Sequence, residues 1–239
     1  MEPAFFRYNE DFTLFGQQHL IMMGLTLLGC IALPYVGRRH LSEKQQLGVA
    51  RGIKVVLAFW VLFWIAVRIA QGYFDPATDL PFDLCNMMSL VLPFMMWRPS
   101  HKAHEIFYFW ILAGTIQAVL TPHLYEGFPN YTFFKYWFVH GGLVIYAIYI
   151  TSVFKLYPTW RSVWRAFGYL QAYAAFVLIA NLIIGSNYMY LLGKPPTASP
   201  LDFLGPWPWY LLIVEALALA MCALVYLPLA LSRNRVVRG

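Results

Sequence analysis

Seven apolar runs, most of them as long as a bilayer is thick, decide what this chain can fold into. A helix rises about 1.5 Å per residue, so roughly 20 apolar residues cross about 30 Å of hydrocarbon. The runs fall at 17–36, 50–71, 82–97, 104–121, 132–154, 166–191 and 207–231. The third is the shortest and contains Pro93. The links between runs are too short to hold a soluble domain. The pattern therefore predicts an all-α, polytopic membrane protein, with residues 1–239 forming a single bundle of seven transmembrane helices. Composition agrees: 60% of residues are hydrophobic and 12% charged, whereas soluble domains carry about 25% charged residues.

Charge sets the expected orientation. Five basic residues lie between Arg38 and Lys54, and Arg98 and Lys102 lie between the third and fourth runs. Lys155, Arg161 and Arg165 separate the fifth from the sixth, and Arg233, Arg235 and Arg238 close the chain. With seven crossings, thirteen of the 17 Lys and Arg fall on one side. Glu2, Glu10, Asp11, Asp75, Asp79, Asp83, Glu126 and Asp202 fall on the other. Basic loops mark the cytoplasmic face, so the N-terminus is expected outside and the C-terminus inside. Removing the short third crossing would move Arg98 and Lys102 outside and spoil the pattern. The acidic Glu10-Asp11 before the first run lacks the basic start of a cleaved signal peptide, so that run is read as retained. The net charge of +6 is then explained by topology and anionic inner-leaflet lipid, and no nucleic-acid partner is expected.

Polar side chains inside hydrocarbon are costly and usually face the bundle interior. In this chain they concentrate towards the expected outer ends of the runs: His19, Arg68, Asp83, Cys85, Gln117, His140, Asn181, Asn187, Tyr188 and Glu215. Facing one another, they would form a polar chamber in the outer half of the bundle. The plainer alternative stays open for each. Gln117, Asn181 and Asn187 can tie helices together, and Arg68 and Glu215 can neutralise each other. A lone Cys85 can be a small buried hydrophobe. His140 precedes Gly141-Gly142, which admit the close approach of a helix or a ligand. Cys30, Cys85 and Cys222 suggest neither a disulfide framework nor a metal site, and no cofactor motif is present.

Several motifs carry a resemblance. Phe15-Gly16-Gln17-Gln18-His19-Leu20, Leu80-Pro81-Phe82-Asp83-Leu84-Cys85, Gln117-Ala118-Val119-Leu120-Thr121-Pro122, His140-Gly141-Gly142 and Gly185-Ser186-Asn187-Tyr188-Met189-Tyr190-Leu191 occur in that order. In this the chain resembles YwaF-like bacterial membrane proteins and the related transmembrane protein 164 family. The resemblance implies seven helices, a bacterial inner-membrane location and acyl transfer on a lipid by a Cys nucleophile with a His partner. Those roles fall on Cys85 and His140. Gln117, Asn187 or Tyr188 would then donate to the oxyanion. A carboxylate at Asp83 disfavours a neighbouring thiolate, a burden His140 would have to offset.

Three functions follow as expectations. The first is lipid acyl transfer or hydrolysis by Cys85 and His140, with membrane lipids as partners. The second is a transporter or small-molecule receptor that binds a solute in the same chamber. The third is a scaffold without a ligand. Oligomeric state is not legible in the sequence.

Overall fold

The computed structural model describes residues 3–195 and 199–237. Seven helices account for most of them: α1 (Gln17–His40), α2 (Glu43–Ala70), α3 (Leu84–Met95), α4 (His101–Leu120), α5 (Tyr131–Val153), α6 (Trp160–Ile184) and α7 (Trp209–Val237). No strand occurs among the described residues. Six of the helices are long and apolar enough to cross a bilayer. The chain is thus an integral, multi-pass membrane protein. At 12 residues, α3 rises only about 18 Å.

Local chemistry sets the helix ends. Ser42 begins α2 with a reciprocal cap: its hydroxyl accepts from the Gln45 N–H, and the Gln45 side chain accepts from the Ser42 N–H at 2.9 Å. Asn130 begins α5 by accepting from the Thr132 N–H at 2.7 Å. Gly185 ends α6 in the left-handed conformation, φ 75°, which glycine adopts without the penalty a Cβ imposes. This corrects the sixth run, expected at 166–191. The helix occupies Trp160–Ile184, and Asn187 and Tyr188 lie beyond it in a turn.

Burial separates central helices from peripheral ones. In α4 and α5, 61% of the apolar window is buried within the protein, against 11% to 22% in α1, α2, α6 and α7. α5 packs against α1 and α2 on one side and α3 and α4 on another, while α6 and α7 close against α4. Gly141 and Gly142 make this possible. A Cβ on Gly141 would come within 2.7 Å of Thr26 Oγ1, and one on Gly142 within 2.8 Å of Leu57. The close approach foreseen at these glycines is therefore made by helices α1 and α2.

Although short, α3 runs alongside the middle of α2. Its first turn lies beside Trp64, late in α2. Past its last turn, Met96 accepts a hydrogen bond from Lys54, and the Trp97 carbonyl accepts from Arg51 Nε at 3.2 Å. Both cations belong to the first half of α2. Lys54 is fully buried and so does not belong with the surface bases among which its sequence position counted it.

The segment that follows α4 meets the N-terminal segment, and the loops after α2 and α6 meet each other. Tyr131 N–H donates to Phe5 O, Phe12 N–H to Tyr125 O, and Asn130 Nδ2 to Arg7 O. Tyr188 accepts from the Leu80 N–H and donates to Pro76 O, both at 2.8 Å. Of the charges used for orientation, Glu2 and Arg238 lie outside the described residues, as do the side chains of Arg233 and Arg235.

Candidate functional site

A polar cavity of about 400 Å³ opens beside these loops, between α2, α3, α4 and α5. Asp83, Cys85 and Asn86 enter it from the start of α3, and Thr132, Lys135, Tyr136 and His140 from α5. The α5 residues share a face because helical neighbours recur every three to four positions. His140, nine positions after Tyr131, lies about 13 Å along the helix. Trp64, His123, Glu126 and Tyr190 complete much of the rim.

Cys85 Sγ sits 3.3 Å from Thr115 Oγ1. Thr115 is fully buried and ends a π-helical stretch, Trp110–Thr115, inside α4. Widened turns of this kind re-aim the side chains that follow and recur at functional sites. The tautomer of His140 is set by its own helix. Nδ1 donates to the Tyr136 carbonyl at 2.8 Å, leaving Nε2 as the basic nitrogen. The Tyr136 ring lies against the imidazole with centroids 4.1 Å apart, and its hydroxyl donates to Ala118 O at 2.8 Å.

Lys135 places a cation in this cavity. Its ammonium lies 4.8 Å from the Trp64 ring, within the range of a cation–π contact. It also lies within electrostatic reach of Asp83, Cys85 and His140. Trp64 is held by a 3.4 Å hydrogen bond to Thr132 Oγ1, and its other cationic neighbour, Arg68, stands 5.3 Å away. Asn86 Oδ1 is buried without a hydrogen-bond partner.

The structure thus brings Asp83, Cys85 and His140 together and disperses the other predicted site residues. His19 is fully buried and satisfied on both sides: Nδ1 accepts from the Phe15 N–H at 2.9 Å and Nε2–H donates to Val119 O at 3.0 Å. It pins α1 to α4. Arg68 pairs with Asp79 at 2.6 Å, and Glu215 accepts from Gln171 on α6, so the two do not neutralise each other. Gln117 is exposed and lies off the cavity. Asn181 is buried and organises the turn after α6: Oδ1 accepts from Tyr188 N–H and Ser186 Oγ, and Nδ2 donates to Tyr188 O. Asn187 braces the same turn through Gly193 O and Leu192 N–H. Asn187 and Tyr188 line a separate hollow that shares Asp83 and Tyr190 with the cavity.

Asn86 opens the third run beside Cys85, but sequence reasoning passed over Thr115, Lys135 and Tyr136 as site residues. Lys135 had a readable signal, as a cation within the fifth run four positions after Tyr131 and five before His140. Thr115 had none, because its direction depends on the π-helical stretch.

A larger cavity, about 710 Å³ and mostly apolar, lies on the other side of α5. Phe134, Trp137, Phe138 and Ile145 form its floor, and α1 its wall from Gln17 to Thr26. None of the predicted site residues lines it.

The model of the TMEM164 family matches residues 14–226. No match is found among curated proteins or among solved structures.

Proposed function

The chain belongs to the TMEM164 family, and from that premise we propose that it moves or releases an acyl group of a membrane lipid, with Cys85 as nucleophile and His140 as base. The observation that carries this reading is their shared cavity, together with the Nδ1–H bond that leaves His140 Nε2 free to take a proton.

The chemistry runs in two halves. Nε2 removes the thiol proton as Sγ attacks the ester carbonyl. The tetrahedral intermediate collapses, the ester C–O bond breaks, and His140 returns the proton to the departing alkoxide. An acceptor hydroxyl or water then attacks the thioester while His140 takes its proton, and the thiolate leaves and is reprotonated. The oxyanion donors expected from sequence are engaged or remote, so the Asn86 amide takes that place in the present proposal, with Thr115 beside the sulfur.

The same proposal carries seven crossings, with the N-terminus outside and the cavity towards the outer leaflet. The course of α3 along α2, from Trp64 to Lys54 and Arg51, supports it, as does the basic bias of the opposite loops. Assignment to the YwaF-like branch of a bacterial cell membrane rests on the ordered motifs alone.

The test is acyl transfer from labelled phospholipid by the protein in nanodiscs. A hydroxylamine-sensitive acyl-enzyme should form on Cys85, and Cys85→Ala should abolish both the adduct and turnover. Full turnover by Cys85→Ala overturns the reading. The charged lining, Asp83, Glu126 and Lys135, favours a second one, a solute chamber of a transporter or receptor. That function predicts no acyl-enzyme and solute binding unaffected by Cys85→Ala.

A further inference from the structure

Asp83 poses a difficulty for Cys85 as a nucleophile. It immediately precedes α3, two residues before the cysteine, and lines the same cavity. A carboxylate there opposes formation of a thiolate. Thr115, the neutral group nearest the sulfur, supplies a hydrogen bond and no charge.

We propose that Lys135 is the counter-charge that allows Cys85 to ionise beside Asp83, so that the three residues work as one electrostatic unit. The groups facing the sulfur support this assignment. α3 contributes Asp83, α4 contributes Thr115, and α5 contributes Lys135, Tyr136 and His140. The loop after α4 adds His123 and Glu126, and the turn after α6 adds Tyr190. Two are carboxylates and Lys135 is the one amine. His140 is occupied at Nδ1 and must be neutral to act as a base. That leaves Lys135 as the group of the lining able to carry the balancing positive charge.

Its position is built. Trp64 holds the ammonium from one side at 4.8 Å and is itself fixed by Thr132. Lys135 lies five residues, about 7.5 Å of helix rise, before His140, and both side chains line the same cavity. An ionisable side chain at this depth is costly unless it is paired and in use.

This inference rests on Cys85 being the nucleophile, but its test reads the thiolate directly and needs no acyl substrate. The full chain in detergent or nanodiscs is treated with iodoacetamide at fixed pH, and labelling of the Cys85 peptide is followed by mass spectrometry. Only the thiolate reacts. Lys135→Met should slow labelling about tenfold, as expected for removal of a nearby opposite charge, while Lys135→Arg should keep most of the rate. Asp83→Asn alone should speed labelling. Asp83→Asn combined with Lys135→Met should return it to near the native rate.

Unchanged labelling in a folded Lys135→Met protein overturns the proposal. So does a double variant as slow as Lys135→Met, which would point to packing against Trp64. If Lys135→Met does not fold, Asp83→Asn decides alone, because unchanged labelling there removes the charge to be balanced. Failure of the acyl-transfer reading looks different: labelling follows these charges, yet no acyl-enzyme forms.

Discussion

The two faces of α5 make opposite use of one helix. Thr132, Lys135, Tyr136 and His140 line a polar cavity of about 400 Å³, while Phe134, Trp137, Phe138 and Ile145 line an apolar one of about 710 Å³. The larger cavity holds none of the predicted nucleophiles or bases. Cavity size therefore says little about chemistry in this protein; the convergence of polar groups says more. The difference arises because hydrocarbon accepts an apolar face as it is, whereas each polar group needs a partner. On the polar face those partners are specific: His140 to the Tyr136 carbonyl, Tyr136 to Ala118 and Thr132 to Trp64.

The sharpest way to break the comparison is to substitute each face in turn. His140→Ala should lower acyl turnover about 10²–10⁴-fold, the range for loss of a general base, and leave the melting temperature in detergent nearly unchanged. Equal loss of turnover and stability would make His140 structural. On the other side, Gly142→Leu should lower stability by about 1–3 kcal/mol, because a Cβ already meets Leu57 at 2.8 Å. Turnover per folded molecule should stay near the native value. Thermal unfolding beside single-turnover acylation checks both. A Gly142→Leu protein that is fully stable but inactive would mean the faces are not separable.

Much of this division was legible before any coordinates. Hydrophobic run length located the six long helices, and charge supported the short third one. Depth suggested a shared chamber for Cys85 and His140, which line one cavity. These quantities depend only on position along the chain. What failed depended on rotation and on helix ends. His19, Gln117 and Glu215 have suitable depths, but their directions take them to Val119, to the surface and to Gln171. Asn187 and Tyr188 were placed inside a helix because the apolar run continues past Gly185, where the backbone turns left-handed and α6 stops. Arg68 found Asp79 in the loop after α2, since a long side chain at a helix end reaches a loop carboxylate more readily than a distant helix. Asn181, read from sequence either as a chamber residue or as a tie between helices, instead holds the turn after its own helix.

Thr115→Val sharpens the polar face at smaller scale. A neutral hydrogen bond is worth about 0.5–1.5 kcal/mol, so loss of the 3.3 Å contact to Cys85 should slow its acylation about two- to tenfold. A rate unchanged in Thr115→Val would mean that the π-helical stretch serves packing alone. Thiol acylation in a single turnover gives the answer without interference from later steps.

The smallest effect falls on neighbours that line different cavities. Tyr136 donates its hydroxyl to Ala118 O at 2.8 Å, whereas Trp137 Nε1 is buried without a hydrogen-bond partner. Removing the first donor leaves a half-buried carbonyl short of a partner, while removing the second abolishes an unmet one. Tyr136→Phe should therefore cost about 1 kcal/mol of stability. Trp137→Phe loses some packing around a residue that is 2% exposed, but it also relieves the unmet donor, so its net cost should be the smaller of the two. Parallel unfolding curves in one detergent decide the order. If Trp137→Phe proves the more damaging, packing on the apolar face outweighs hydrogen bonding on the polar one, and the contrast between the faces would have to be restated in terms of volume.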